Sequence, residues 1–99
     1  MAYDPGALEA ALAAAVGDEP VLIADLRRAF FDSAALHVQA LRYAVSIDDW
    51  AAAAIRLHSL AASFGTRRLM DAATEAAQCA KPDPARLRKI ERAIAALTF

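Results

Sequence analysis

The residues of this 99-residue chain best suited to chemistry are two histidines, one cysteine and scattered carboxylates. His37 and His58 stand far apart in sequence and lack the short local spacing of a zinc site. Cys79 is the only cysteine, which leaves no intramolecular disulfide and no cysteine metal cluster. The three glycines are scattered, so no glycine-rich phosphate loop can form. No metal site and no cofactor are expected. What remains is imidazole chemistry, and a neutral imidazole is a nucleophile near neutral pH.

The elements that must position these imidazoles are helices. Asp4-Pro5 reads as a cap followed by proline at the first helical position, and Gly17 reads as the stop. Leu8, Leu12 and Ala15 recur between them at helical spacing. Asp18-Glu19-Pro20 opens a longer second helix, expected to run to about Ser46. Its inward stripe is Leu22, Leu26, Phe30, Ala34, His37, Leu41 and Val45. Asp48-Asp49 caps a third helix that begins at Trp50 and ends near Phe64, before Gly65. Thr66 opens a fourth with Leu69, Ala73, Ala76 and Ala80 inward. Asp83-Pro84 repeats the cap-and-proline signal for a fifth helix carrying Leu87, Ile90, Ile94 and Leu97. No segment alternates with period two. Short connections between amphipathic helices imply an all-α, up-and-down antiparallel four-helix bundle with an additional short N-terminal helix.

On the third helix, a wheel of ~100° per residue groups Leu57, Leu60 and Phe64 as the core side. His58 then falls roughly 130° away, near solvent, with Ala54, Ile55, Ala61 and Ala62 one turn from it. Small apolar residues and an outward isoleucine around an exposed imidazole read as a partner surface. His37 lies on the inward stripe of its own helix and reads as a packed or edge histidine. Trp50 reads as a core anchor and Cys79 as a small apolar residue.

Composition bounds the possible roles. A chain 59% hydrophobic and 23% charged is globular, and its length suits one domain, residues 1–99. A formal net charge of −1 gives no basic footprint for nucleic acid. No apolar run reaches the ~18 residues of a membrane span. The N-terminal residues lack the basic start and apolar core of a signal peptide, so a cytoplasmic protein is expected.

The motif around the histidine is His58-Ser59-Leu60-Ala61-Ala62-Ser63. Upstream of it stand Asp4-Pro5, the Gly17-Asp18-Glu19-Pro20 turn, Phe30-Phe31 and Asp49-Trp50; downstream stand Gly65 and Leu69. Together these resemble histidine-containing phosphotransfer (HPt) domains, whose H-x-L-K-G-S pattern is met at His58, Leu60 and Ser63. Gly65 and Leu69 are similar to the family's G-x-x-x-L entry to the next helix.

The resemblance implies a phosphorelay carrier rather than a self-contained turnover enzyme. His58 would accept and donate a phosphoryl group with a response-regulator receiver domain or a hybrid histidine kinase, and Ala54, Ile55, Ala61 and Ala62 would form the docking surface. Any Mg²⁺ would belong to the receiver. Ala61 stands where the family has lysine, and Ala62 where it has glycine. The interval from His58 to Gly65 is about three residues short, nearly one helical turn. Counting back from Gly65 instead sets Ile55 at the phosphoryl-accepting position. That alternative implies a pseudo-HPt adaptor that binds a receiver or kinase without being phosphorylated.

Overall fold

The computed structural model describes residues 5–97, and their regular structure is entirely helical. The helices are α1 (Pro5–Val16), α2 (Pro20–Tyr43), α3 (Ile47–Ser63), α4 (Arg67–Ala77) and α5 (Pro84–Ala95). The expected cap at Asp4 lies outside the described residues. No described helix is long and apolar enough to cross a membrane.

Proline sets the start of α2 and α5, since its fixed φ suits a first turn whose N–H groups need no partner. Asp83 caps α5 as expected, its carboxylate accepting from the Ala85 N–H at 2.9 Å. At α3 the cap differs from the expected one. Ser46 Oγ accepts from the Asp49 N–H at 3.1 Å, so the helix starts at Ile47. Asp48 and Asp49 instead occupy its first turn, against the positive end of the helix dipole. Consequently α2 ends at Tyr43, three residues earlier than its apolar period suggests. Gly17 and Gly65 adopt φ of 74° and 64°, the left-handed geometry that ends α1 and α3.

The packing is bundle-like. α2 lies against α3, α3 against α4, α4 against α5, and α5 against α2, while α1 packs on α2. The core joins Leu8 and Leu12 of α1, Phe30 and Leu41 of α2, Trp50 and Leu57 of α3, Leu69 of α4 and Ile90 of α5. Phe30 meets Phe64 edge-on at 4.9 Å, which sets the register of α2 on α3. Trp50 is a core anchor, its buried indole N–H donating to the Ala76 carbonyl of α4 at 2.6 Å. Several stripe positions are not inward. Leu22 and Val45 are exposed on or just beyond α2, Ala15 near the end of α1 and Ala80 beyond α4. Each of these lies at or past a helix end, where the facing helix no longer reaches.

Glu75 of α4 binds Lys89 at 2.8 Å and Arg86 at 2.9 Å on α5. The Lys89 hydrogen bond holds its carboxyl below the usual range, helped by both positive charges and opposed by burial. Arg27 pairs with Glu9 at 2.6 Å between α2 and α1. These exposed pairs fix helix order more than they add stability. Trp50→Phe removes the indole donor and part of the ring, and should lower stability by about 2 kcal/mol in urea denaturation while helicity persists.

Candidate functional site

The middle of α3 is built largely from alanine and leucine, strong helix formers that also allow close packing. Its buried side chains are Trp50, Ala53, Ala54, Leu57 and Ala61. On the wheel this set is centred roughly 40° from the Leu57–Leu60–Phe64 direction expected from sequence. The cause is α4, which brings Ala72, Ala73 and Ala76 into the same core. Alanine facing alanine lets two helices approach closely, so the contact rotates toward the small side chains. Leu60 and Phe64 are left half-buried at the edge.

Two expected surface residues are therefore core. Ala54 and Ala61 are fully buried and cannot touch a partner. Ile55, 57% exposed, and Ala62 do face solvent, as expected. His58 stands about 85° from the revised core centre and is half-buried. Its imidazole makes no hydrogen bond or ion pair with any described residue. The strip that carries it is Ala51, Ile55, His58 and Ala62, spaced by four, three and four. Ala51, half-buried, is the member that the one-turn neighbourhood misses; a second turn along the same strip finds it.

The burial of Ala61 has a chemical consequence. A lysine at 61 would carry its ammonium into the core between α3 and α4, at a desolvation cost of several kcal/mol. Within this packing only an exposed position such as 62 could offer a cation to His58. Ser63, the last motif residue, donates its hydroxyl to the Ser59 carbonyl at 3.0 Å and is turned away from His58. Thr66 has its hydroxyl buried, donating to the Ala61 carbonyl at 3.0 Å. The Thr66 backbone N–H reaches the same carbonyl at 3.1 Å. Thr66 therefore closes the end of α3 rather than capping its own helix, which it precedes without a side-chain cap.

His37 is half-buried on α2, as its place on the inward edge predicts. Burial first, and then the charge of Arg56 across on α3, push its pKa below the ordinary histidine value. Arg56 and Phe64 mark the α2 side of α3, so His58 projects from the opposite flank. The two histidines do not converge. Among the described residues no three His, Cys, Asp or Glu side chains cluster as metal ligands. Cys79, half-buried, places its thiol 3.5 Å from the Glu75 carbonyl.

Comparison of the chain with family models, curated proteins and solved structures finds no match.

The lowered pKa of His37 has a defined pH signature. Folded His37 binds its proton less readily than unfolded His37, so acid favours the unfolded chain. Its contribution is complete above the unfolded histidine pKa of about 6.5 and declines as pH falls through the lower, folded value. His37→Gln should flatten the fall in Tm between about pH 7.5 and pH 5, while the later loss due to Glu75 persists. Identical Tm profiles for the two proteins would contradict the assignment.

Proposed function

We propose that this chain is a histidine phosphotransfer protein that relays phosphoryl groups to or from receiver domains through His58. The observation that carries the reading is a half-exposed imidazole without a bonded partner among the described residues, set in a strip of Ile55 and alanines rather than charges. The motif resemblance from Asp4 to Leu69 adds to it. In the same reading α2 to α5 form the up-and-down antiparallel four-helix bundle, with α1 as the additional N-terminal helix. The closed circuit of contacts among those four helices supports that arrangement. Cytoplasmic residence belongs to the same proposal, because the receiver partners work there.

The chemistry asks little of this chain. A neutral His58 ring nitrogen attacks the phosphorus of a receiver aspartyl phosphate. The N–P bond forms as the P–O bond to the carboxylate breaks, and the aspartate leaves as a carboxylate. The surplus ring proton passes to solvent. Among the described residues no acid or base is bonded to the imidazole, so positioning is the chain's contribution and the receiver supplies metal and charge. The carrier then returns the phosphoryl group by the reverse displacement.

A second reading has its own observation. Ile55 is the most exposed large hydrophobic side chain within α3, and the alignment counted from Gly65 places it at the acceptor position. In that reading the protein is a pseudo-HPt adaptor, which binds a receiver or kinase without turning over phosphate.

Incubation with phosphorylated receiver domains, followed by intact-mass measurement, separates the two. The carrier gains one phosphoryl group, labile to acid and stable to base, and His58→Gln gains none while keeping its helicity. Binding without any mass gain by the wild type would establish the adaptor instead. The docking strip has a separate test in titration against a receiver. Ala62→Glu should weaken binding at least tenfold by burying an unpaired charge, whereas Arg92→Glu on the exposed face of α5 should leave it unchanged. Equal affinities for wild type and Ala62→Glu would remove this strip from the interface.

A further inference from the structure

The helices are not packed equally around the bundle. Alanines draw α3 and α4 together, while the seam across from them, between α2 and α5, keeps a cavity of about 370 Å³. Its apolar wall is Phe31, Ala35 and Val38 of α2 with Ile94 of α5. Val38 is buried, Phe31 and Ile94 are half-buried, and the Phe31 ring stands edge-on to the buried Phe30 at 5.1 Å. Core packing therefore sets this wall before anything enters, which lowers the cost of binding. An apolar cavity of about 150 Å³ admits benzene, and sites for small molecules begin near 300 Å³, so this one has room for a ligand.

Gln39, Arg42 and Glu91 stand at the mouth. Arg42 donates to Glu91 through one terminal nitrogen, which leaves most of its N–H donors unused. The Gln39 amide makes no hydrogen bond with any described residue. Arg42 and Glu91 are 45% and 39% exposed, so their pair adds little stability and a second acceptor shares Arg42 at small cost.

The balance of charge selects the ligand. Within one turn of the lining residues stand Arg27, Arg28, Asp32, Arg42, Arg88 and Glu91. Glu9 pairs with Arg27 and Glu91 with Arg42, whereas Arg28, Arg88 and Asp32 form no ion pair among the described residues. Two unpaired cations against one unpaired acid leave this rim short of an anion. Past Arg42 the seam continues into a second cavity of about 260 Å³, between Leu41, Trp50 and Leu87, which Asp83 also lines. A negative group is disfavoured beside Asp83 and favoured at Arg42, so the first cavity is the one suited to an acid.

We propose that the α2–α5 cavity binds a small amphipathic carboxylate. Its hydrocarbon body lies against Phe31, Val38 and Ile94, and its carboxylate accepts from Arg42 and from the Gln39 amide. The apolar wall supplies the affinity, and the charge-assisted hydrogen bond from Arg42 supplies the choice of head group. The strip of Ile55, His58 and Ala62 lies on the α4 flank of α3, away from this seam, so the inference stands apart from phosphoryl transfer.

Octanoate, octan-1-ol and octylammonium share one chain and differ in charge, so their titration into ¹⁵N-labelled protein tests both parts of the site. Octanoate should saturate below about 1 mM, with the largest amide shifts at Ala35, Val38 and Ile94. Octanol should bind about tenfold more weakly and octylammonium more weakly still. Arg42→Gln should lower octanoate affinity to that of octanol while leaving octanol unchanged. Ala35→Phe, which fills the cavity from a position open to solvent, should remove binding of all three with helicity retained. No saturable shift in the wild type at about 5 mM octanoate would overturn the proposal. So would largest shifts outside the seam, octylammonium binding as tightly as octanoate, or unchanged octanoate affinity in Arg42→Gln.

Discussion

Alanine against alanine is the contact on which the rest of this structure depends. Ala53, Ala54 and Ala61 of α3 and Ala72, Ala73 and Ala76 of α4 all lie in the core, where side chains this small let two helix backbones come close. That proximity puts the Trp50 indole within reach of the Ala76 carbonyl, and the Thr66 hydroxyl within reach of the Ala61 carbonyl. The two hydrogen bonds lie at opposite ends of the α3–α4 pair and hold its register. Burial of both donors makes the geometry demanding, because a misplaced helix would strand a polar group in an apolar core.

The orientation of α3 determines which imidazole faces are available. Rotation of its buried side toward α4 takes Ala54 and Ala61 out of reach and half-covers His58, yet leaves Ile55 and Ala62 outward. Absence of a lysine at 61 then has a physical sense, since the position is interior. A phosphoryl group on His58 would draw its stabilisation from the docked partner and from solvent, with little from this chain. The adaptor reading draws on the same geometry, because the strip would serve docking whether or not the imidazole reacts.

The two histidines show how one residue type takes different roles on neighbouring helices. His37 sits between α2 and α3, where burial and Arg56 disfavour its charged form and tie it to stability. His58 sits on the other flank of α3, half-buried and without a bonded partner among the described residues. The outer face of α2 adds a third kind of surface, where Leu22, Leu36 and Tyr43 are exposed.

Helix existence was legible in the sequence from local chemistry: prolines at Pro20 and Pro84, the Asp83 cap, stops at Gly17 and Gly65, and apolar steps of three and four. These signals act within one turn, so they need no knowledge of neighbours. The half-buried state of His37 also followed from its place on the α2 stripe, and the anchoring of Trp50 from the size of its indole ring. The start of α3 at Ile47 was missed, because Asp48-Asp49 satisfies the same local capping rules as Ser46, whose hydroxyl makes the cap. The fate of Ala54 and Ala61 was not legible at all. Alanine is as acceptable on a surface as in a core, and only the approach of α4 decided which it would be. Leucine and phenylalanine announce burial by size, so Leu60 and Phe64 drew the expected core direction toward themselves, while helix-to-helix distance, a tertiary quantity, set the observed one.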